Sequence, residues 1–88
     1  MKNHETIGEF IVRLRMGKQK TQDEIADYSG VSRKHLSNLE NNKILPNYDT
    51  IMKLARILEV RPSTFTNIVG KMLDKRYEEG DFPEIGDI

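Results

Sequence analysis

Residues 21–40 read TQDEIADYSGVSRKHLSNLE, and the order of side-chain types in that run decides the fold. It opens on Thr21-Gln22-Asp23-Glu24, a capping box: the threonine hydroxyl can accept the backbone N–H three residues on, and the glutamate can return the bond. The acidic pair also sits in a first turn, where the helix macrodipole favours negative charge. A helix beginning there runs to about Ser29 and stops at Gly30, which takes a positive φ without a Cβ penalty. Ser32 can cap the next helix at once. Two helices joined through so short a turn cross at a steep angle. The crossing wants a small side chain at Ala26 and an apolar wedge, which Ile25, Val31, Leu36 and Leu39 supply. Left facing outward on the second helix of the pair are Arg33, Lys34, Ser37, Asn38 and Asn41. None is apolar, and nearly all donate hydrogen bonds.

Upstream, Thr6-Ile7-Gly8-Glu9 is another capping box. Ile7, Phe10, Ile11 and Leu14 follow at spacings of three and four, which predicts a first helix over about residues 7–18. Downstream, the helix that starts after Ser32 ends near Asn41-Asn42. Asn47, after Pro46, can cap a fourth helix with Ile51, Leu54, Ala55 and Leu58 on its inner face. Pro62 suits the first position of a fifth, which carries Phe65, Ile68, Val69, Met72 and Leu73, with Tyr77 one turn further. Gly80 and Pro83 end the order, so residues 78–88 are expected to form an acidic, flexible tail. Strand signals are poor, with no clean alternation and no Asn-Gly or Asp-Gly turn. The expectation is an all-α, compact five-helix domain over residues 1–77.

Taken together, T-Q-x-x-I-A-x-x-x-G-V-S, then L-S-N-L-E, a loop ending in proline, and I-x-x-L-A-x-x-L-x-V resemble the phage-repressor (XRE) class of helix-turn-helix transcriptional regulators over roughly residues 7–70. The resemblance implies a lambda-repressor-like DNA-binding domain whose third helix enters the major groove. It puts Arg33, Lys34 and Asn38 where the family reads base edges. The chemistry agrees, since Arg and Lys suit guanine O6/N7 and Asn suits adenine N6/N7. It puts Gln22 where the family contacts a phosphate and braces the recognition helix, at a helix N-terminus whose N–H groups suit an anion. Thr21, Ser32, His35 and Ser37 flank these positions, and Asn41, Asn42 and Lys43 fall on the loop that contacts the DNA backbone. Arg15 and Glu40 match positions that pair in the family. There are departures. Gln19 and Lys20 precede the T-Q where the family often has glycine and an apolar residue, although Lys20 could instead reach a phosphate. Asn42 and Glu59 stand where glycine is favoured, and Arg61 replaces a serine cap.

The formal net charge of zero conceals an asymmetry. Residues 1–73 hold twelve Lys/Arg against eight Asp/Glu, whereas residues 74–88 hold two against six. The basic body permits nucleic-acid binding, and its acidic tail is a separate feature. With no cysteine, neither a disulfide framework nor thiolate chemistry is available. His4 and His35 have no carboxylate or cysteine at ligand spacing, so no metal site is expected. No Ser/His/Asp set, glycine-rich phosphate loop or cofactor signature occurs, which argues against an enzyme and against any cofactor. The polar N-terminus leads into no apolar stretch and apolar runs do not exceed three residues, so the expectation is a soluble, cytoplasmic protein with no membrane partner.

The fifth helix leaves two readings. Phe65 and Ile68 could close the bundle alone, and the rest of the stripe is wider than a monomer of 88 residues easily covers. The tail could fold back over it, with Phe82, Ile85 or Ile88 as lids. The expected reading is a homodimer interface over Phe65, Ile68, Val69, Met72 and Leu73, because the family generally dimerises here and a dimer doubles the phosphate contacts. The function expected is then a transcriptional regulator, a repressor, on a pseudo-palindromic double-stranded DNA operator. The alternative is an antitoxin or other interaction module whose acidic-apolar tail binds a protein partner.

Overall fold

Side-chain caps set where the helices begin. Thr6 and Thr21 accept the backbone N–H of Glu9 and Glu24 at 3.1 Å, and each glutamate accepts the threonine N–H at 2.9 Å. The bond from the Thr21 backbone holds the Glu24 carboxyl below its ordinary value. Ser32 and Asn47 accept from His35 and Thr50 in the same way. The computed structural model describes residues 5–80. Within them lie α1 (Ile7–Gly17), α2 (Gln22–Ser29), α3 (Arg33–Glu40), α4 (Tyr48–Leu58) and α5 (Pro62–Glu78). Of these, α5 alone starts without a side-chain acceptor: Arg61 stands at its cap and Pro62 takes the first position. The segment over residues 81–88, with Phe82, Ile85 and Ile88, lies outside the described residues, as does His4.

The turns carry more left-handed backbone than the glycines account for. Gly30 leaves α2 at φ 81°, where a Cβ would be strained. Gln19, Asn42 and Glu59 also take positive φ, at 57°, 58° and 60°. That conformation costs a residue with a Cβ about 1–2 kcal/mol, and Asn tolerates it best. Glu59 ends α4 there and receives Lys18 Nζ at 2.7 Å, a hydrogen bond that holds its carboxyl below the ordinary range.

The apolar faces converge on one core. Ile7 and Ile11 from α1, Ile25 from α2, Leu36 and Leu39 from α3, and Leu54 and Leu58 from α4 are all buried. From α5 only Phe65 is fully buried, its ring meeting Phe10 edge-on at 5.2 Å. Such an aromatic pair adds about 0.5–1.5 kcal/mol beyond the area it buries. The first turn of α1 and the end of α3 approach closely, backbone to backbone. A β-carbon on Gly8 would run into the Glu40 carbonyl, so only glycine lets the two helices meet. The inner side of α3 is thereby seated on the bundle, and its outer side is left to solvent.

Candidate nucleic-acid interface

Leu36 and Leu39 hold α3 down, and every other side chain of that helix is polar. Arg33 and Lys34 are exposed, Ser37 and Asn38 half-buried, and Asn41 exposed just past the end. Gln22, at the start of α2, joins four of them: Gln22, Arg33, Lys34, Ser37 and Asn38 line one shallow groove of about 390 Å³. The groove is walled by hydrogen-bonding groups, which is what reading a base edge requires.

Its frame is a largely buried ion pair. Arg15 on α1 grips Glu40 at the end of α3 with two bonds, Nε to Oε2 at 2.8 Å and Nη2 to Oε1 at 3.0 Å. The side chains are 15% and 4% exposed. Gln22 Nε2 donates to the same Oε1 at 2.8 Å, and Arg15 Nη1 donates to the Lys20 carbonyl at 2.9 Å. The Arg15–Glu40 pair thus ties α1, the α1–α2 turn, the start of α2 and the end of α3 together. A two-pronged arginine–carboxylate contact fixes direction as well as distance.

The remaining positions divide by what their side chains already do. Thr21 and Ser32 have their hydroxyls accepting cap bonds, and each O–H can still donate. His35 turns from the groove toward α4, with Nε2 3.5 Å from Oγ1 of the buried Thr50. Asn41 donates back to the Ser37 carbonyl at 2.9 Å. Asn42 is turned inward to α1: its Oδ1 accepts from the Gly8 N–H at 2.9 Å and its Nδ2 donates to Thr6 Oγ1 at 3.0 Å. Lys43 is exposed. Lys20 lies with its ammonium 5.5 Å from the centre of the Tyr28 ring, a cation–π contact.

Sequence reasoning missed two participants, and for a third residue, expected on the α5 interface, it missed an inward role. Gly8 is the first, since its bare backbone seats the end of α3. Asp23 is the second. In the sequence it is a first-turn acid and no more, yet its Oδ1 lies 3.2 Å from Nε of Arg33, across the α2–α3 turn. Met72 is the third. Its Sδ accepts the N–H of Ile7 at 3.3 Å, so α5 caps the first turn of α1. The N–H groups of Ile7, Gly8 and Glu9 are therefore satisfied by α5, by the α3–α4 loop and by Thr6.

The α5 stripe is divided. Phe65 is 0% exposed and belongs to the domain's own core, which corrects its placement on an outward interface: at position four of the helix it meets Phe10 before any partner could reach it. Ile68, Val69 and Met72 pack partly against the core, while Leu73 is 47% exposed and Tyr77 69%.

Among the described residues no group of three or more His, Cys, Asp or Glu is placed to hold a metal ion, and no helix is long and apolar enough to cross a membrane. Compared with known proteins, residues 11–65 match the model of a helix-turn-helix family, from the first turns of α1 to Phe65 in α5. No curated protein matches the chain.

Proposed function

The chain belongs to the helix-turn-helix family of DNA-binding regulators, and on that premise we propose that it represses transcription by reading a pseudo-palindromic operator as a homodimer. In this reading α3 lies in the major groove, with Arg33, Lys34 and Asn38 on base edges. Gln22, Asn41 and Lys43 position the domain on phosphates. Two copies associate through the outer edge of α5, around Val69 and Leu73, and act in the cytoplasm. A twofold dimer sets its recognition helices about 34 Å apart, which calls for half-site centres about ten base pairs apart.

The observation that carries the proposal is the sorting of α3: two leucines inward, and a row of donors outward that shares one groove with Gln22. Binding-site selection from random DNA tests it. Arg33→Ala should relax the preference at one position per half-site, since a good bidentate contact is worth about 1–3 kcal/mol of discrimination. If Arg33→Ala, Lys34→Ala and Asn38→Ala all left the selected motif unchanged, α3 would not be the reader. Lys43→Ala should instead weaken binding to every sequence alike and lower the log–log salt slope by about 0.9, the share of one neutralised phosphate.

A further inference from the structure

Arg33 does not stand alone on the α3 face. Its Nε lies 3.2 Å from Oδ1 of Asp23, the second residue of α2, and both side chains are well exposed, at 62% and 72%. An exposed pair of this kind contributes little to folding, so stability is a weak reason for it. Its position is more telling. Arg33 and Gln22 border two neighbouring grooves, one shared with Asp23 and the other with Lys34, Ser37 and Asn38.

We propose that Asp23 is a positioning residue that sets Arg33 for a guanine and thereby determines specificity at that base pair; the inference rests on the base-reading role proposed for α3. A guanidinium carries five N–H donors in a planar fork. The carboxylate lies against Nε, and in the proposed arrangement the two terminal nitrogens form the edge that meets the base. That edge offers parallel donors to guanine O6 and N7, both acceptors. Adenine presents a donor at N6 in place of the O6 acceptor and cannot satisfy it.

An untethered arginine of this exposure would sample many orientations, including those that reach a phosphate. Phosphate contacts position a protein without carrying sequence information. Asp23 restricts that choice. Its own charge also opposes the DNA backbone, so it lowers affinity for DNA of every sequence while sharpening the reading at one position. An acid in the first turn of α2 supports the helix through the macrodipole, but that role has no bearing on base preference.

The test uses the full chain and binding-site selection with the wild type, Asp23→Ala, Asp23→Asn, Arg33→Ala and the Asp23→Ala/Arg33→Ala double variant. Circular dichroism monitors folding. In Asp23→Ala the guanine preference at the position read by Arg33 should fall by roughly five- to tenfold, part of what a bidentate contact supplies. Affinity for random-sequence DNA should rise at the same time, and the salt slope should steepen. Asp23→Asn keeps an oxygen that can accept and should retain part of the preference. In the Arg33→Ala background, Asp23→Ala should no longer change base preference. An unchanged or sharper guanine preference in Asp23→Ala overturns the proposal, because Asp23 would then be only a spectator or a competitor. Arg33→Ala separates this failure from the larger one: if it relaxes no position, base reading by Arg33 itself is refuted.

Discussion

α3 and α5 present opposite problems to the rest of the molecule. α3 has eight residues, and its apolar side chains are both buried, so what it offers to solvent is entirely polar. α5 has seventeen residues and buries only Phe65 fully, leaving Leu73 and Tyr77 to solvent. The first helix is complete within the monomer: two leucines seat it, and Arg15, Glu40 and Gln22 fix its end. The second is complete only along the edge that touches Phe10 and Ile7. A finished polar face suits a partner that arrives and leaves, such as DNA, whereas an unfinished apolar edge suits a partner that stays. The two helices are also mechanically joined, since Met72 of α5 and Asn42 beyond α3 cap adjacent N–H groups of α1.

The largest effect expected is from removing the carboxylate under α3. Glu40→Ala would leave Arg15 largely buried without its partner and Gln22 Nε2 without its acceptor. Breaking a buried pair in this way costs about 3–5 kcal/mol. Lys34→Ala, on the outer side of the same helix, should stay within about 0.5 kcal/mol. Urea denaturation compares the two. Equal costs would mean that α3 is not held from beneath and that its sorting is only apparent.

Next in size is the edge of α5. Leu73→Asp places a charge on the proposed interface without touching the monomer core, and the dimer should separate at micromolar concentration with the helical spectrum retained. Operator affinity should then fall by roughly a hundredfold, at the lower end of what a second linked site supplies. Met72 is the wrong place to test this, because its sulfur caps Ile7 and a substitution there would loosen α5 from α1. Sedimentation of the wild type comes first: a monomer at high micromolar concentration would remove the contrast between the helices and leave the α5 edge for another occupant.

These contrasts mark what can be read along the chain. The caps at Thr6, Thr21, Ser32 and Asn47 are local, three residues from donor to acceptor, and a sequence displays them directly. The five helices and the inward leucines follow from the same short-range spacings. The joints of the site do not. Gly8 meets Asn42 across 34 residues and Ile7 meets Met72 across 65, separations that leave no periodic trace. Resemblance to a family places Arg15 opposite Glu40; spacing could not have done so. Asp23 illustrates another limit, because a first-turn acid already has a sufficient local explanation and the search for a second partner stops there. Phe65 shows a third: helical period defines a stripe, but only packing says which part of it the monomer itself covers.

The smallest effects sharpen the comparison at two turn residues of nearly equal φ. Gln19 and Asn42 have φ of 57° and 58°, and glycine would relieve the strain at either. Their side chains differ in kind. Asn42 bonds both the Gly8 N–H and Thr6 Oγ1, holding the loop after α3 to the start of α1. Asn42→Gly would forfeit two hydrogen bonds and leave a first-turn N–H without its protein acceptor, a loss of about 1–2 kcal/mol against little gain, since Asn is the least strained side chain there. Gln19 is exposed and sits at the rim of a shallow groove beside the α1–α2 turn. Gln19→Gly should therefore stabilise the fold, by about 0.5–1 kcal/mol once the extra freedom of glycine in the unfolded chain is deducted. For a domain of this size that raises the melting temperature by a few degrees, while Asn42→Gly lowers it. Thermal denaturation of the two variants side by side decides the point. Shifts of the same sign would mean that backbone strain alone governs both turns and that Asn42 does not bind α1 to the end of α3.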